Sequence, residues 1–283
     1  MRRVAAALGR TLITAGILIL LFVAYQLWGT GIYESQQQSK LRNQFNSALR
    51  KTTRAPTTDP SPPPPPTGDA VARIQIPKVG LDAIVVNGIG TDDLRKGPGH
   101  YPLTPLPGQR GNSAIAGHRT TYGAPFGNLD QLSQHDMIRL RTLQGFFSYR
   151  VYQQLVVDPS DVKVLDPDPA RPATLTLTTC NPKYSAAQRL VVKAAMDHPA
   201  PPLPPSRGLR AGAKLADTGL SGDSGSLLPT FIAGAIAMLV GGLWWLAFHR
   251  HPRWTNWLAG AIPFAVTLFI FYTYLERALP ANY

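Results

Sequence analysis

Three long apolar stretches constrain this chain more than any other feature. Residues 11–28, "TLITAGILILLFVAYQLW", carry no charge and follow Arg2, Arg3 and Arg10. Residues 229–248, "PTFIAGAIAMLVGGLWWLAF", and 254–275, "WTNWLAGAIPFAVTLFIFYTYL", are similarly long and uncharged. Each matches the ~20 residues a helix needs to cross a ~30 Å hydrocarbon core. The first has no small-residue cleavage site, so it reads as a retained anchor rather than a removed signal peptide. Pro263 falls inside the third span, where neighbouring groups can satisfy the carbonyl it frees.

Arginine placement orients these spans. Arg250 and Arg253 lie in "HRHPR", residues 249–253, between the last two. Positive residues favour the cytoplasmic side. Residues 1–10 and 249–253 are therefore expected in the cytoplasm, with 29–228 and the tail 276–283 outside. The net charge of +12 is concentrated in "MRRVAAALGR", "KLRNQFNSALRKTTR" and "HRHPR", close to the spans. That is the distribution of topology-setting and lipid-facing charge. No basic stripe interleaved with aromatic residues accompanies it, so nucleic acid is not an expected partner.

Linkers bracket a single folded unit. Residues 29–68 form a stalk and a Pro-rich linker. Leu41, Phe45 and Leu49 recur every four residues in the stalk. That spacing fits either a helix continuing out of the first span or a solvated stalk whose apolar stripe does little. "APTTDPSPPPPPTGD" reads as a polyproline II spacer. Residues 200–228 form a second Pro-rich tether. Between them, residues 69–199 suffice for one modest core.

Within 69–199 the apolar period is two. "ARIQIP", "LDAIVVNG", "NSAIAGH", "DMIRLRT", "FFSYRVYQQLVV", "ATLTLTTC" and "QRLVVKAAM" are short alternating or β-branched runs separated by Gly, Pro, Asn and Asp. Strands in this number and spacing argue for an all-β sandwich or barrel of about eight strands. Only "PFGNLDQLSQH" offers a helical turn.

Cys180 is the sole cysteine and ends the strand "TLTLTTC". A lone cysteine is most often a small core hydrophobe. A nucleophile would need a base, an oxyanion partner and an accessible strand end. Alternation puts Thr174, Thr176, Thr178 and Cys180 on one face, and Leu175, Leu177 and Thr179 on the other. Arg189 opens the next strand across a short loop, where it could favour the thiolate and donate to an oxyanion. Four external histidines could act as acid or base: His100, His118, His135 and His198. His135 lies in a polar turn and His198 borders the tether, so both read as surface residues. Spacing does not choose between His100 and His118. No C-x-x-C, HExxH, carboxylate cluster or phosphate-binding glycine loop occurs, so no metal or cofactor is expected.

"LTLTTCNPKYSAAQRLVV" together with "NSAIAGHRTTYGAPFGNLDQL" resembles the sortases, cysteine transpeptidases of Gram-positive cell surfaces. "GPGHYPLTPLPGQRGN" is similar to the class E branch, and the likeness covers roughly residues 70–196. The resemblance implies a closed β-barrel with Cys180 as nucleophile, His118 as general acid/base and Arg189 as the substrate and oxyanion group. It further implies cleavage of an L-A-x-T-G motif between Thr and Gly. The clients would be secreted proteins bearing a C-terminal sorting signal, and the acceptor an amine of a peptidoglycan precursor. Tyr101 and Thr179 are the candidate substrate contacts, Tyr101 narrowing the pocket for the motif's Ala. The family is usually anchored once, and the two C-terminal spans depart from that pattern. A hydrolytic cysteine protease and a non-catalytic surface scaffold are the competing readings.

The tether itself contains "LADTG", residues 215–219, with Leu215, Ala216, Thr218 and Gly219 matching L-A-x-T-G. Beyond it come a polar spacer, an apolar span and basic residues, the order of a sorting signal. A match at four fixed positions by chance is expected on the order of once per hundred chains of this size. The segment reads either as a self-recognition motif or as an accidental match in a small-residue tether.

Overall fold

The computed structural model describes residues 2–54, 64–197, 203–204, 227–248 and 254–278. In chain order the elements begin with α1 (Arg2–Ala24), a π-helical turn (Tyr25–Gly29) and α2 (Thr30–Arg54). Then come β1 (Ala70–Ile76), β2 (Leu81–Asn87), α3 (Thr91–Leu94), β3 (Gly99–His100) and β4 (Gly111–Ala116). The remaining strands are β5 (Met137–Arg141), β6 (Phe146–Val157), β7 (Ala173–Asn181) and β8 (Gln188–Met196), followed by α4 (Leu227–Phe248) and α5 (Trp254–Ala278). The chain divides into two compact units.

One unit contains α1, α4 and α5, and each of these helices carries a stretch long and apolar enough to cross a membrane. Glycines set its packing. A Cβ on Gly234 or Gly241 would stand 3.0 Å from the ring of Phe271 or Phe264, respectively. Small residues at these positions let membrane helices approach closely where no hydrophobic force separates helix from lipid. The Tyr272 hydroxyl donates to the Leu18 carbonyl at 2.6 Å. The loop "HRHPR" lies outside the described residues.

The other unit is a closed barrel with strand order β1-β2-β3-β4-β7-β8-β6-β5. β2 with β3 and β4 with β7 pair in parallel, and the other pairs are antiparallel. Every alternating run in the sequence forms a strand. The eighth strand, β3, has two residues, too few for alternation to show. The helical turn expected near Leu129 is a single 3-10 turn, Leu129–Gln131. Ile74, Ile115, Leu140, Leu175, Leu177 and Val192 fill the interior. That is the direct consequence of period-two patterning on a sheet closed upon itself.

The stalk helix docks on the barrel. Leu41 and Phe45 bury themselves against Ile84 and Val86 of β2, so the apolar stripe is used. Gln38 takes the place of a missing strand neighbour for Ile84. It accepts from the Ile84 N–H at 2.7 Å and donates to the Ile84 carbonyl at 2.9 Å. Backbone groups left without strand partners need such substitutes once they are buried.

Candidate functional site

Strand register assembles a row of three residues. β4 runs parallel to β7 with Ala116 beside Thr178, and the Gly117 N–H donates to the Thr178 carbonyl at 3.1 Å. Continuing this register by two residues sets His118 alongside Cys180. On the far side, antiparallel β8 places Arg189 directly beside Cys180. Neighbouring partners in a sheet share a face. Leu175, Leu177, Leu190 and Val192 point into the barrel. Cys180, Val191, Ala114 and Ala116 therefore lie on its outer face, where they cluster with Tyr101, Val164 and Leu165. Buried threonines stabilise this face: Asn112 Oδ1 accepts from Thr174 Oγ1 at 3.0 Å and from Thr176 Oγ1 at 2.9 Å.

Cys180 ends its strand, but it is not presented at an open rim. It is 1% exposed, because Tyr101 and the 3-10 segment bearing Val164 and Leu165 fold over the outer face. Beside it, a small cleft is lined on the sheet side by Thr178, Arg189 and Val191 together with Val157, which pairs with Arg189. Tyr101, Asp161, Val162 and Leu165, outside the strands, complete the lining. The Tyr101 hydroxyl stands 3.3 Å from Thr178 Oγ1 within this lining. Arg189 is held by the turn preceding it, Nη1 donating to the carbonyls of Ala186 at 3.0 Å and Gln188 at 3.1 Å.

The two strand-end histidines have different surroundings. His100 pairs with Ile115 and so faces the barrel interior, at 0% exposure. Its Nε2 lies 3.0 Å from the Pro105 carbonyl and its Nδ1 3.3 Å from Asn87 Oδ1. Burial pushes its pKa down to about 4. His118 instead follows the outer-face residues Ala114 and Ala116. Its Nδ1 is 3.4 Å from Thr121 Oγ1, and its ring lies 5.1 Å from that of Tyr122. His135 occupies a turn with φ of 72°, whereas His198 lies outside the described residues.

Thr179 does not line the cleft. Its side chain faces inward at full burial, and Oγ1 donates to the Gly117 carbonyl at 2.7 Å. It ties β7 to the segment that carries His118 and offers no surface to a substrate. Arg119 was not apparent from the sequence as a site residue. Its Nη1 donates to the carbonyl of Cys180 and to Asn181 Oδ1. Only its position next to His118 could have drawn attention to it. "LADTG" lies outside the described residues.

A Sortase domain model matches residues 74–197. The chain is 33% identical over 204 residues to sortase SrtE1 of Streptomyces coelicolor, covering 67% of this chain and 56% of that protein. It is 31% identical over 147 residues to sortase D of Bacillus subtilis, covering 52% of this chain and 68% of that protein. Among solved structures, sortase E from Streptomyces avermitilis is 38% identical with a TM-score of 0.42, covering 47% of this chain and 90% of that one. The chain thus spans little more than half the length of the Streptomyces coelicolor relative.

Proposed function

The chain belongs to the sortase family and resembles its class E branch, and on that premise we propose that it is a membrane-anchored cysteine transpeptidase. Its substrates are secreted proteins carrying an L-A-x-T-G-type motif, cut between Thr and Gly. The acyl group passes to an amino group of a cell-wall precursor. One observation carries this reading: the register of β4, β7 and β8, which pairs Cys180 with Arg189 and brings the chain to His118 two residues beyond the Ala116–Thr178 pair.

The Cys180 thiolate attacks the Thr carbonyl carbon, and Arg189 donates to the oxyanion that forms. As the tetrahedral intermediate collapses, the C–N bond to Gly breaks and His118 gives its proton to the leaving amine. A thioester on Cys180 remains. The acceptor amine attacks that thioester and loses a proton to His118, and Cys180 departs as thiolate. Tyr101, at the wall of the cleft beside Arg189, narrows the site for the motif's Ala. Residues 1–10 and 249–253 lie in the cytoplasm and residues 69–199 face outward, as the arginine distribution supports. The "LADTG" segment is a recognition motif for the enzyme itself or a close relative.

The test is the full-length protein in detergent with a fluorogenic L-A-x-T-G peptide, with and without triglycine. A ligated product that appears only with triglycine and requires Cys180 is expected. Free acid alone, even with triglycine in excess, would make the enzyme a protease. No turnover of any peptide of this class would favour a scaffold.

A further inference from the structure

We infer that the start of the stalk helix is a positioning element for the candidate base: Thr30 and Tyr33 hold Tyr122, and Tyr122 holds the imidazole of His118. The inference builds on the proposed role of His118, and it adds a part of the chain outside the barrel to the machinery. The segment after His118 is one that a loop does not adopt unaided. Tyr122, Gly123 and Ala124 have φ values of 50°, 71° and 45°, a left-handed run unfavourable for residues with a Cβ. Something must hold it in place.

The helix does so from one face. Thr30, Tyr33 and Glu34 are spaced i, i+3 and i+4, so they share a side of α2. The Tyr122 N–H donates to Thr30 Oγ1 at 3.0 Å. Tyr33 meets the Tyr122 ring edge-on at 6.3 Å and 75°. Arg95 closes the cluster, its Nε donating to the Tyr122 hydroxyl and its guanidinium 5.2 Å from the Tyr33 ring centre and 5.3 Å from that of Tyr122. The approach is tight: a Cβ on Gly123 would stand 2.8 Å from Glu34 Oε2. On its other side Tyr122 lies 5.1 Å from the His118 ring. At the far end of the loop, the Phe126 N–H returns to the His118 carbonyl at 3.0 Å. A run of contacts therefore leads from α2 through one buried aromatic ring to the imidazole. Neither Thr30 nor Tyr33 would touch the substrate.

Small misplacements of a reacting group cost up to about a hundredfold in rate. Full-length Thr30→Val and Tyr33→Ala are each expected to lower kcat by roughly 10- to 100-fold with KM within about twofold. Thr30→Ser, which keeps the acceptor, and Tyr33→Phe, which keeps the ring, are expected to stay near wild type. A second readout does not depend on turnover. With isotope-labelled histidine, the His118 ring resonances, assigned by their loss in His118→Gln, are expected to titrate at a shifted pH in Tyr33→Ala and Thr30→Val. Those of His100 are expected to stay unmoved. An unchanged kcat in both variants, or an unchanged His118 titration, overturns the inference. If the wild type turns over no peptide, the functional reading falls, and the His118 titration alone then decides this one.

Discussion

Arg119, in the bend that follows β4, donates from Nη1 to the carbonyl oxygen of Cys180 at 3.0 Å. The same nitrogen donates to Asn181 Oδ1 at 2.7 Å, and Nη2 stands 3.4 Å from Asp130. At 5% exposure this guanidinium is a structural part of the strand end. One side chain thus joins the residue after His118 to the backbone of Cys180, so the spacing of the proposed base and nucleophile depends on it.

Arg119→Ala is accordingly expected to lower kcat by about 10- to 100-fold with a smaller change in KM. Arg119→Lys is expected to rescue only in part, because a single ammonium cannot reproduce the planar fork whose Nη1 serves Cys180 and Asn181 while Nη2 faces Asp130. Steady-state kinetics on the full-length protein, corrected for folded fraction, check this. A kcat equal to wild type in Arg119→Ala would mean that the strand end holds itself.

The row itself makes the sharper claim. Cys180→Ala and His118→Ala are each expected to abolish peptide turnover, and Arg189→Ala to lose at least ~100-fold, the usual cost of an oxyanion donor. Normal turnover in Cys180→Ala would end the functional reading. Activity that survives His118→Ala but not His100→Ala would move the base to the interior histidine.

Acid should unfold the barrel through His100. Its pKa is lowered by burial from 6.5 to about 4, so between these values the unfolded chain holds the extra proton and the folded barrel does not. Stability is then full above about pH 6.5 and falls as pH drops toward 4, by up to ~1.4 kcal/mol per pH unit from this one group. His100→Gln is expected to be less stable at neutral pH but to show a shallower acid dependence over that window. Denaturant midpoints measured at several pH values test the slope. Parallel slopes for the two proteins would assign the acid sensitivity elsewhere.

The range of each interaction decides whether the sequence reveals it. Period-two patterning places Leu175 and Leu177 inside and Cys180 outside from local information alone, so the strands and the face of the thiol were legible. The two-residue strand Gly99–His100 was not, because two residues carry no period. Choosing His118 over His100 needs the register of β3 and β4, which no spacing encodes. The cover over Cys180 comes from Tyr101, Val164 and Leu165, each distant in sequence. The contact between Thr30 and Tyr122 joins residues 92 positions apart. Such long-range contacts are tertiary choices, and no propensity within a short window reports them.

The burial of Cys180 also changes how topology should be tested. A thiol 1% exposed is a poor target for a bulky membrane-impermeant label, so a probe site must be introduced. Phe146, at 73% exposure, begins β6 on the barrel surface. Phe146→Cys in a Cys180→Ala background gives a single accessible thiol. Labelling by a membrane-impermeant maleimide on intact protoplasts is expected. Labelling that appears only after lysis would place the barrel in the cytoplasm and reverse the orientation that Arg250 and Arg253 indicate.

The "LADTG" segment, residues 215–219, tests whether the enzyme acts on its own chain. A polar spacer, an apolar span and then basic residues succeed it in the order of a sorting signal, although a third span comes after them. Reach permits docking in cis. Leu203 is bridged to Gln109 of the barrel, so the ~12 residues from there to Leu215 extend up to ~40 Å at ~3.3 Å each. Cleavage between Thr218 and Gly219 would release the last two spans while residues 11–28 kept the barrel anchored. A bound but uncut motif would instead compete with substrate, strengthened by the effective concentration that tethering confers. The two outcomes separate in one comparison: intact masses of membrane-purified wild type and Cys180→Ala, together with peptide turnover with and without residues 215–219. A shorter wild-type mass, absent from Cys180→Ala, is the expected sign of self-cleavage. Equal masses with faster turnover after deletion indicate a tethered competitor. Equal masses with unchanged turnover reduce "LADTG" to an accidental match.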